Sequence, residues 1–346
     1  SGKKKLTLNI LIDVRSWQAG RQRLEAVDGV KVTDVTDTSD PESLSRALPV
    51  DLLAKQDVLF CTFPPTNHKD LKQVRLIQVT SAGYSQLLDL DLSVRGVRAC
   101  NGSGVFDSAI AEWNVAMMVN LKRDLRQMIR NQEEGTWDRD RRFQREIRSS
   151  VVGFWGYGGL ARQTARLCKA MGLTVHALTR SGVKQQDNRY VVPGTGDLEG
   201  KLPDRVFLLD QKEAFLGGLD FLVMGLPLNS ATEGIVDDKA LQMLPNHAVV
   251  LNPARGPLIQ EQALIIALEQ GWIAGAALDT HYHYPMPPDH RLWQFDNVIM
   301  TPHISGSAGG EYYLPRIWNI FLNNLARLMD GRPLINELTA NQLAGQ

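Results

Sequence analysis

Short apolar runs alternate with amphipathic stretches along nearly the whole chain. In the first hundred residues, LTLNILID (6–13), VKVTDVT (30–36), VLFCTF (58–63) and RLIQVTS (75–81) are rich in β-branched and aromatic residues and predict strands. Runs at 151–155, 174–179, 219–225, 247–252, 273–279 and 297–301 predict six more, with helical patterns between most of them. This alternation predicts an α/β fold with parallel sheets. The stretch DSAIAEWNVAMMVNLKRDLRQMIRN (107–131) reads as one long helix with Ile110, Val115, Met118 and Leu121 as its apolar positions. YYLPRIWNIFLNNLARLMDG (312–331) reads as another amphipathic helix, with Gly331 at its C-terminal stop. Residues 181–210 break the rhythm. They are rich in Gly, Pro and charge, and predict a surface excursion between two strands. No short-period repeat is present.

At 346 residues the chain is long enough for two domains, and 43% hydrophobic with 22% charged residues suits a globular protein. The 38 basic and 38 acidic residues cancel, which argues against nucleic acid or an anionic membrane as partner. The most basic window, 122–148, mixes nine Lys/Arg with six Asp/Glu and reads as a solvated helix and loop. Cys61, Cys100 and Cys168 are scattered and form no CxxC pair. That usage, with no apolar run of transmembrane length and no signal-peptide pattern in the first residues, predicts a cytoplasmic protein.

The strongest local signal is SVVGFWGYGGLARQTARLCKAMGLTVHALTRSG (150–182). An apolar strand runs into Gly156-x-Gly158-x-x-Ala161, then an amphipathic helix, then the strand TVHALT. Gly156 allows the tight turn, Gly158 allows a pyrophosphate to approach the backbone, and small Ala161 allows helix and strand to pack closely. The helix N-terminus offers unpaired N–H groups to the phosphates. A bare glycine pattern also suits a plain strand–helix turn, but the whole β-loop-α-β context predicts dinucleotide binding. An NAD-preferring site carries an acidic residue at the end of the second strand. Here Thr179, Arg180 and Ser181 stand there instead. A guanidinium with two hydroxyls suits a 2′-phosphate, so NADP is expected over NAD, the bland alternative being that Arg180 stacks on the adenine or faces solvent.

With that loop, four segments resemble the D-isomer-specific 2-hydroxyacid dehydrogenase family: SAGYSQLLDL (81–90), LPLNSATEGIVDDKALQMLP (226–245), VVLNPARGPLIQEQAL (249–264) and NVIMTPHISG (297–306). Their order and spacing cover nearly the whole chain, and the glyoxylate/hydroxypyruvate reductase branch is most similar. The resemblance implies two doubly wound parallel-sheet domains, a Rossmann-type cofactor domain (105–306) inserted into a flavodoxin-like substrate domain (1–104 and 307–346). It implies an oxidoreductase that moves a hydride between a nicotinamide cofactor and a 2-keto or D-2-hydroxy acid in the cleft between domains. It also implies a homodimer formed through the 107–131 helix. By their places in the motifs, Arg255 would bind the substrate carboxylate and keto oxygen, and His303 would be the general acid/base. The Ala82 and Gly83 N–H groups would cradle the carboxylate, with Tyr84 beside them. Asp279 would hydrogen-bond the nicotinamide carboxamide, and Pro227, Gly159 and Leu160 would touch the cofactor. Tyr84, Trp113, Tyr284 and Trp293 are candidates for an aromatic pocket wall.

AALDTHYHYPMPPDH (276–290) departs from that family pattern. The family places a glutamate that charges the catalytic histidine after the aspartate and four intervening residues, directly before a proline; Tyr284 occupies that position here. A neutral phenol can orient an imidazole but cannot stabilise imidazolium as a carboxylate does. The departure admits two alternatives. One is a formate-like oxidation, which needs no proton donor; the other is a dinucleotide-sensing protein of weak catalysis. His281 and His283 share a face on an extended chain, but no nearby carboxylate or cysteine completes a ligand set, so no metal is expected. They read as cleft wall or subunit contact.

Overall fold

The computed structural model describes residues 7–36 and 45–345. Leu6, the first residue of the first expected strand, lies outside them. The chain divides into two compact units. One is Ser1–Val105 with Asn188–Tyr190 and Gly309–Gln346; the other is Phe106–Asp187 with Val191–Ala308.

The first unit holds β1 (Leu8–Asp13), β2 (Val30–Asp34), β3 (Val58–Cys61), β4 (Leu76–Val79) and β5 (Arg98–Cys100). All pair in parallel in the order β2-β1-β3-β4-β5, the flavodoxin-like arrangement. Strands β3 and β4 are buried at every position, which is why β3 reads as a continuous apolar run; β4 is apolar except for buried Gln78. Strand β5 escapes sequence reading because three residues are too short to show a period. The helix Tyr313–Met329 covers this sheet by stacking Phe321 on Phe60, ring centroids 4.2 Å apart, with Trp318 edge-on to Phe60. It ends as expected at Gly331 (φ +67°). The Arg332 N–H bonds the Arg327 carbonyl and the Gly331 N–H bonds that of Leu328, satisfying carbonyls that the helix leaves open.

The second unit holds β6 (Val151–Trp155), β7 (Thr174–Thr179), β8 (Arg205–Leu208), β9 (Phe221–Met224), β10 (Val249–Asn252), β11 (Gly275–Leu278) and β12 (Val298–Met300). The order is β12-β11-β10-β9-β6-β7-β8, all parallel, so strand order reverses between β6 and β9. This is the Rossmann arrangement with one further strand, and the reversal is where such folds bind their ligands. Strand β8 lies inside the stretch expected as excursion; it is an edge strand with three of its four residues exposed, Val206 and Leu208 among them.

The expected helix over 107–131 is two helices, Asp107–Lys122 and Leu125–Glu133. Asp124 sits in the left-handed region (φ +50°), which a right-handed helix cannot pass through. Of the four apolar positions read from the sequence, Met118 is fully buried; Ile110, Val115 and Leu121 are half-exposed. The buried stripe is Ala111, Asn114 and Met118, and Asn114 donates to the Thr164 hydroxyl on the helix Gly159–Ala170.

Residues 180–204 carry no helix or strand, yet they are tied down. Buried Arg162, on the glycine-loop helix, donates to the carbonyls of Tyr157, Lys184 and Asp197. The Tyr157 hydroxyl donates to the Asp197 carboxylate, and burial pushes the phenol pKa up. Asn188–Tyr190 joins the first unit through paired bonds with Asn336.

Candidate active site

Register explains the glycine loop. Trp155 of β6 faces Met224 of β9, so Gly156 and Gly225 follow side by side. A Cβ on Gly156 would lie 2.8 Å from the Gly225 backbone, and Gly156 already has φ +91°. No other residue fits there. Ala161 is fully buried, and a Cβ on Gly225 would meet its methyl at 3.5 Å. Gly158 differs: a Cβ there would meet nothing within 4 Å, so the open space is left for something outside the chain. The helix begins at Gly159, so its first N–H groups, Leu160 among them, lie at the strand-to-helix turn. A side chain on Gly159 would collide with the Asp107 carboxylate. Pro227 is exposed just beyond β9.

At the end of β7 the Thr179 hydroxyl is buried without a hydrogen-bond partner. Arg180 and Ser181 follow, both exposed, and Arg180 has no ion-pair partner among the described residues. None of Thr179, Arg180 and Ser181 is a carboxylate, so no charge in that trio repels a phosphate.

Past the ends of β10, β11 and β12 the chain gathers Arg255, Asp279, Tyr284 and His303. The Asn252 side chain fixes the Arg255 turn by accepting from the N–H groups of Ala254 and Arg255 and donating to the Arg255 carbonyl. The half-buried guanidinium donates once, to the Ala254 carbonyl at 2.6 Å, and has no carboxylate partner among the described residues. Its remaining donors are open. Gly256 must be glycine, because a Cβ there would lie 2.4 Å from the His281 carbonyl oxygen. Gly256→Ala should therefore push the Arg255 turn away from the Tyr284 loop. Over-packing of this kind costs about 1–3 kcal/mol. A thermal melt should show the loss, and unchanged stability would mean that the backbone yields freely there.

His303 has φ +57°, an uncommon conformation for a residue with a side chain. Asp279 holds it. This fully buried carboxylate accepts from the Thr301 hydroxyl, the Ile304 N–H, and the Ser305 N–H and hydroxyl. Those four bonds use its acceptor sites. These bonds make Asp279 a positioning residue for the segment that carries His303. Tyr284 stands with its hydroxyl 3.1 Å from His303 Nδ1, where the resemblance places a glutamate. The same hydroxyl accepts the His281 N–H at 3.2 Å. Tyr284 can thus donate to a neutral His303 or accept from an imidazolium, leaving Nε2 free in either state. The ring is partly open to solvent, yet the protein packed around it lowers its pKa, burial being the main cause. The Asp279 charge opposes the shift, while Arg255 and His281 add to it.

His281 is not a free cleft wall. It is buried, and its Nε2 bonds the Thr301 carbonyl at 2.7 Å, tying the loop after β11 to the segment after β12. Trp293 lines a groove of about 290 Å³ with Arg126, Ile129 and Met300. Trp113 packs against the core under β6. Sequence reading missed Gly225, Gly256 and the roles of Asn252 and His281. The glycines after apolar strands were the available signal for the first two.

In the first unit, the 81–84 turn is held from within. Asn101 donates to the Ala82 carbonyl and the Ser81 hydroxyl to that of Gly83. The N–H groups of Ala82 and Gly83 find no acceptor among the described residues, and both residues reach solvent. Tyr84 is half-buried against that unit's core.

Comparison with known proteins agrees with this geometry. A glyoxylate reductase of Thermofilum pendens is 26% identical over 68% of this chain, which spans 66% of that protein, just under two thirds. A glyoxylate/hydroxypyruvate reductase of Arabidopsis thaliana is 26% identical over 88% of this chain and 89% of its own. In structure, an NADPH-dependent glyoxylate/hydroxypyruvate reductase from Sinorhizobium meliloti, solved with NADP and sulfate, superposes with a TM-score of 0.74. It shares 21% identity and is covered in full by 98% of this chain, a likeness of fold. The sequence model of the D-isomer specific 2-hydroxyacid dehydrogenase NAD binding domain matches residues 115–305, more than half of the chain. With the glycine loop at the sheet reversal, and Arg255 and His303 past the ends of β10 and β12, the chain belongs to the D-isomer specific 2-hydroxyacid dehydrogenase family.

Proposed function

We propose that this protein reduces a 2-keto acid to the D-2-hydroxy acid with NADPH. The observation that carries the proposal is the cluster of an unpaired Arg255 guanidinium with a His303 whose Nε2 is left free by Tyr284. The open cradle at Gly158, the orphaned Thr179 hydroxyl and the unpaired Arg180 fit a phosphorylated dinucleotide held by the unit 106–187 and 191–308. When bound, the nicotinamide group supplies the hydride. The chain supplies the rest. Arg255 takes the substrate carboxylate and keto oxygen on its planar fork, which a lysine cannot reproduce. His303 gives a proton from Nε2 to the oxygen as it becomes an alcohol. Tyr284 and Asp279 hold the imidazole in place. Ala82 and Gly83 in the other unit present main-chain N–H groups suited to a carboxylate.

Loss of NADPH absorbance with glyoxylate, hydroxypyruvate, pyruvate and bulkier keto acids tests the proposal. Dinucleotide binding without turnover on any of them would instead favour a sensing role. The half-exposed Ile110, Val115 and Leu121 on the helix Asp107–Lys122 suit burial in a homodimer, which sedimentation would reveal. No described helix is long and apolar enough to cross a membrane.

The NADPH preference should rest on Arg180. A charge-assisted contact contributes about 1.5–3 kcal/mol, so Arg180→Ala should lower kcat/KM for NADPH by roughly 10–150-fold and spare NADH. Equal use of NADH by the unmodified protein would defeat this assignment.

A further inference from the structure

The loop that carries Tyr284 also carries His283 and His290, and neither is used by the chemistry above. Folding brings them to a carboxylate on the helix that follows β10. Glu261, first residue of the helix Glu261–Glu269, places Oε1 2.7 Å from His290 Nε2 and 3.6 Å from His283 Nε2. One ligand atom from each of the three lies within 4.8 Å of the others.

We propose that Glu261, His283 and His290 form a binding site for a divalent transition-metal ion of the zinc class. Two imidazoles and a carboxylate are borderline donors that suit Zn(II), Co(II) or Ni(II) rather than Ca(II) or Mg(II), which take oxygen ligands. In a tetrahedral zinc site with bonds of about 2.0–2.2 Å, ligand atoms stand roughly 3.4 Å apart. The present spacings bracket that figure, so closure needs side-chain shifts of about 1.5 Å at most. His283 is exposed, giving the ion an entry route and leaving a fourth position for water.

The metal-free arrangement has its own bonds. His290 Nδ1 accepts the Leu292 N–H at 3.2 Å, so the ring proton sits on Nε2 and is donated to Glu261. Loading moves that proton to Nδ1 and gives up the Leu292 bond, with no net proton released from the ring. The site should therefore bind zinc with a Kd of about 1–10 µM, weaker than a preorganised structural centre. A bound ion would clamp the Tyr284 segment to the helix that follows the Arg255 turn.

The experiment is competition for Zn(II) between the whole protein and a chromophoric chelator, with Co(II) absorption as a second readout. The unmodified chain should take up one equivalent at micromolar affinity. His283→Ala removes an exposed side chain and should weaken uptake at least tenfold. Glu261→Gln should do the same, and thermal melts of the metal-free variants establish that they fold. Zinc should raise the melting temperature of the unmodified protein and not that of His283→Ala. Uptake that persists in His283→Ala, or no saturable uptake by the unmodified protein, would overturn the proposal. Neither outcome bears on keto-acid reduction, because none of the three residues is placed on substrate or cofactor.

Discussion

Replacing Arg255 with alanine is expected to lower kcat/KM for keto-acid reduction by roughly 10²–10⁴. Two charge-assisted hydrogen bonds of about 1.5–3 kcal/mol each would be lost, and each 1.36 kcal/mol is tenfold in rate. Lysine should recover only part of the loss, since it restores a charge without the fork. Cofactor affinity should hardly change, because the glycine loop at 156–161 belongs to a different strand end of the sheet. A second consequence follows from electrostatics. Arg255 is one of the charges that lower the His303 pKa, so its removal should move the pH profile of the remaining activity upward. Steady-state kinetics of Arg255→Lys and Arg255→Ala across pH check both points. Full activity in Arg255→Lys would mean that the keto acid binds elsewhere.

Reduction should weaken as pH rises through a His303 pKa that lies below its ordinary value near 6.5. The sign follows from the proton. Reduction consumes one from Nε2, so the competent form is imidazolium, and burial together with Arg255 and His281 disfavours that form. Above the pKa the reductive kcat/KM falls about tenfold per pH unit, while oxidation of the hydroxy acid, which needs neutral His303, rises and levels. Tyr284→Glu places a carboxylate where the hydroxyl now lies 3.1 Å from Nδ1. At about 4 Å and an effective dielectric near 20, the attraction reaches about 4 kcal/mol before desolvation, so the fall should move up by about one to two pH units. His303→Gln should cost roughly 10²–10⁴ in reductive turnover. Profiles of kcat/KM in both directions decide the matter. A profile flat to pH 8 in the unmodified protein would mean that neutral His303, with its Tyr284 bond, suffices as the donor.

Family membership and the glycine loop were legible because they rest on local signals. A strand buried on both faces is mostly apolar, and Gly156 must be glycine whatever surrounds it, since its φ is positive. The same held for Arg255 and His303, each marked by residues beside it in the chain, and for the departure at Tyr284. Other features were set by partners distant in sequence. Edge strand β8 and three-residue β5 owe their place to neighbouring strands and show no period of their own. The break at Asp124 turns on one backbone angle that a helical apolar pattern does not record. The bonds that Asp279 accepts from Thr301, Ile304 and Ser305, more than twenty residues on, show only in the fold. Likewise Glu261 comes within reach of His283 and His290 only once β10 and β11 pair, bringing the helix after one beside the loop after the other. Sequence determined which groups are present and which strands carry them. The parallel sheet decided which groups meet, because it sets its strand ends side by side however far apart they lie along the chain.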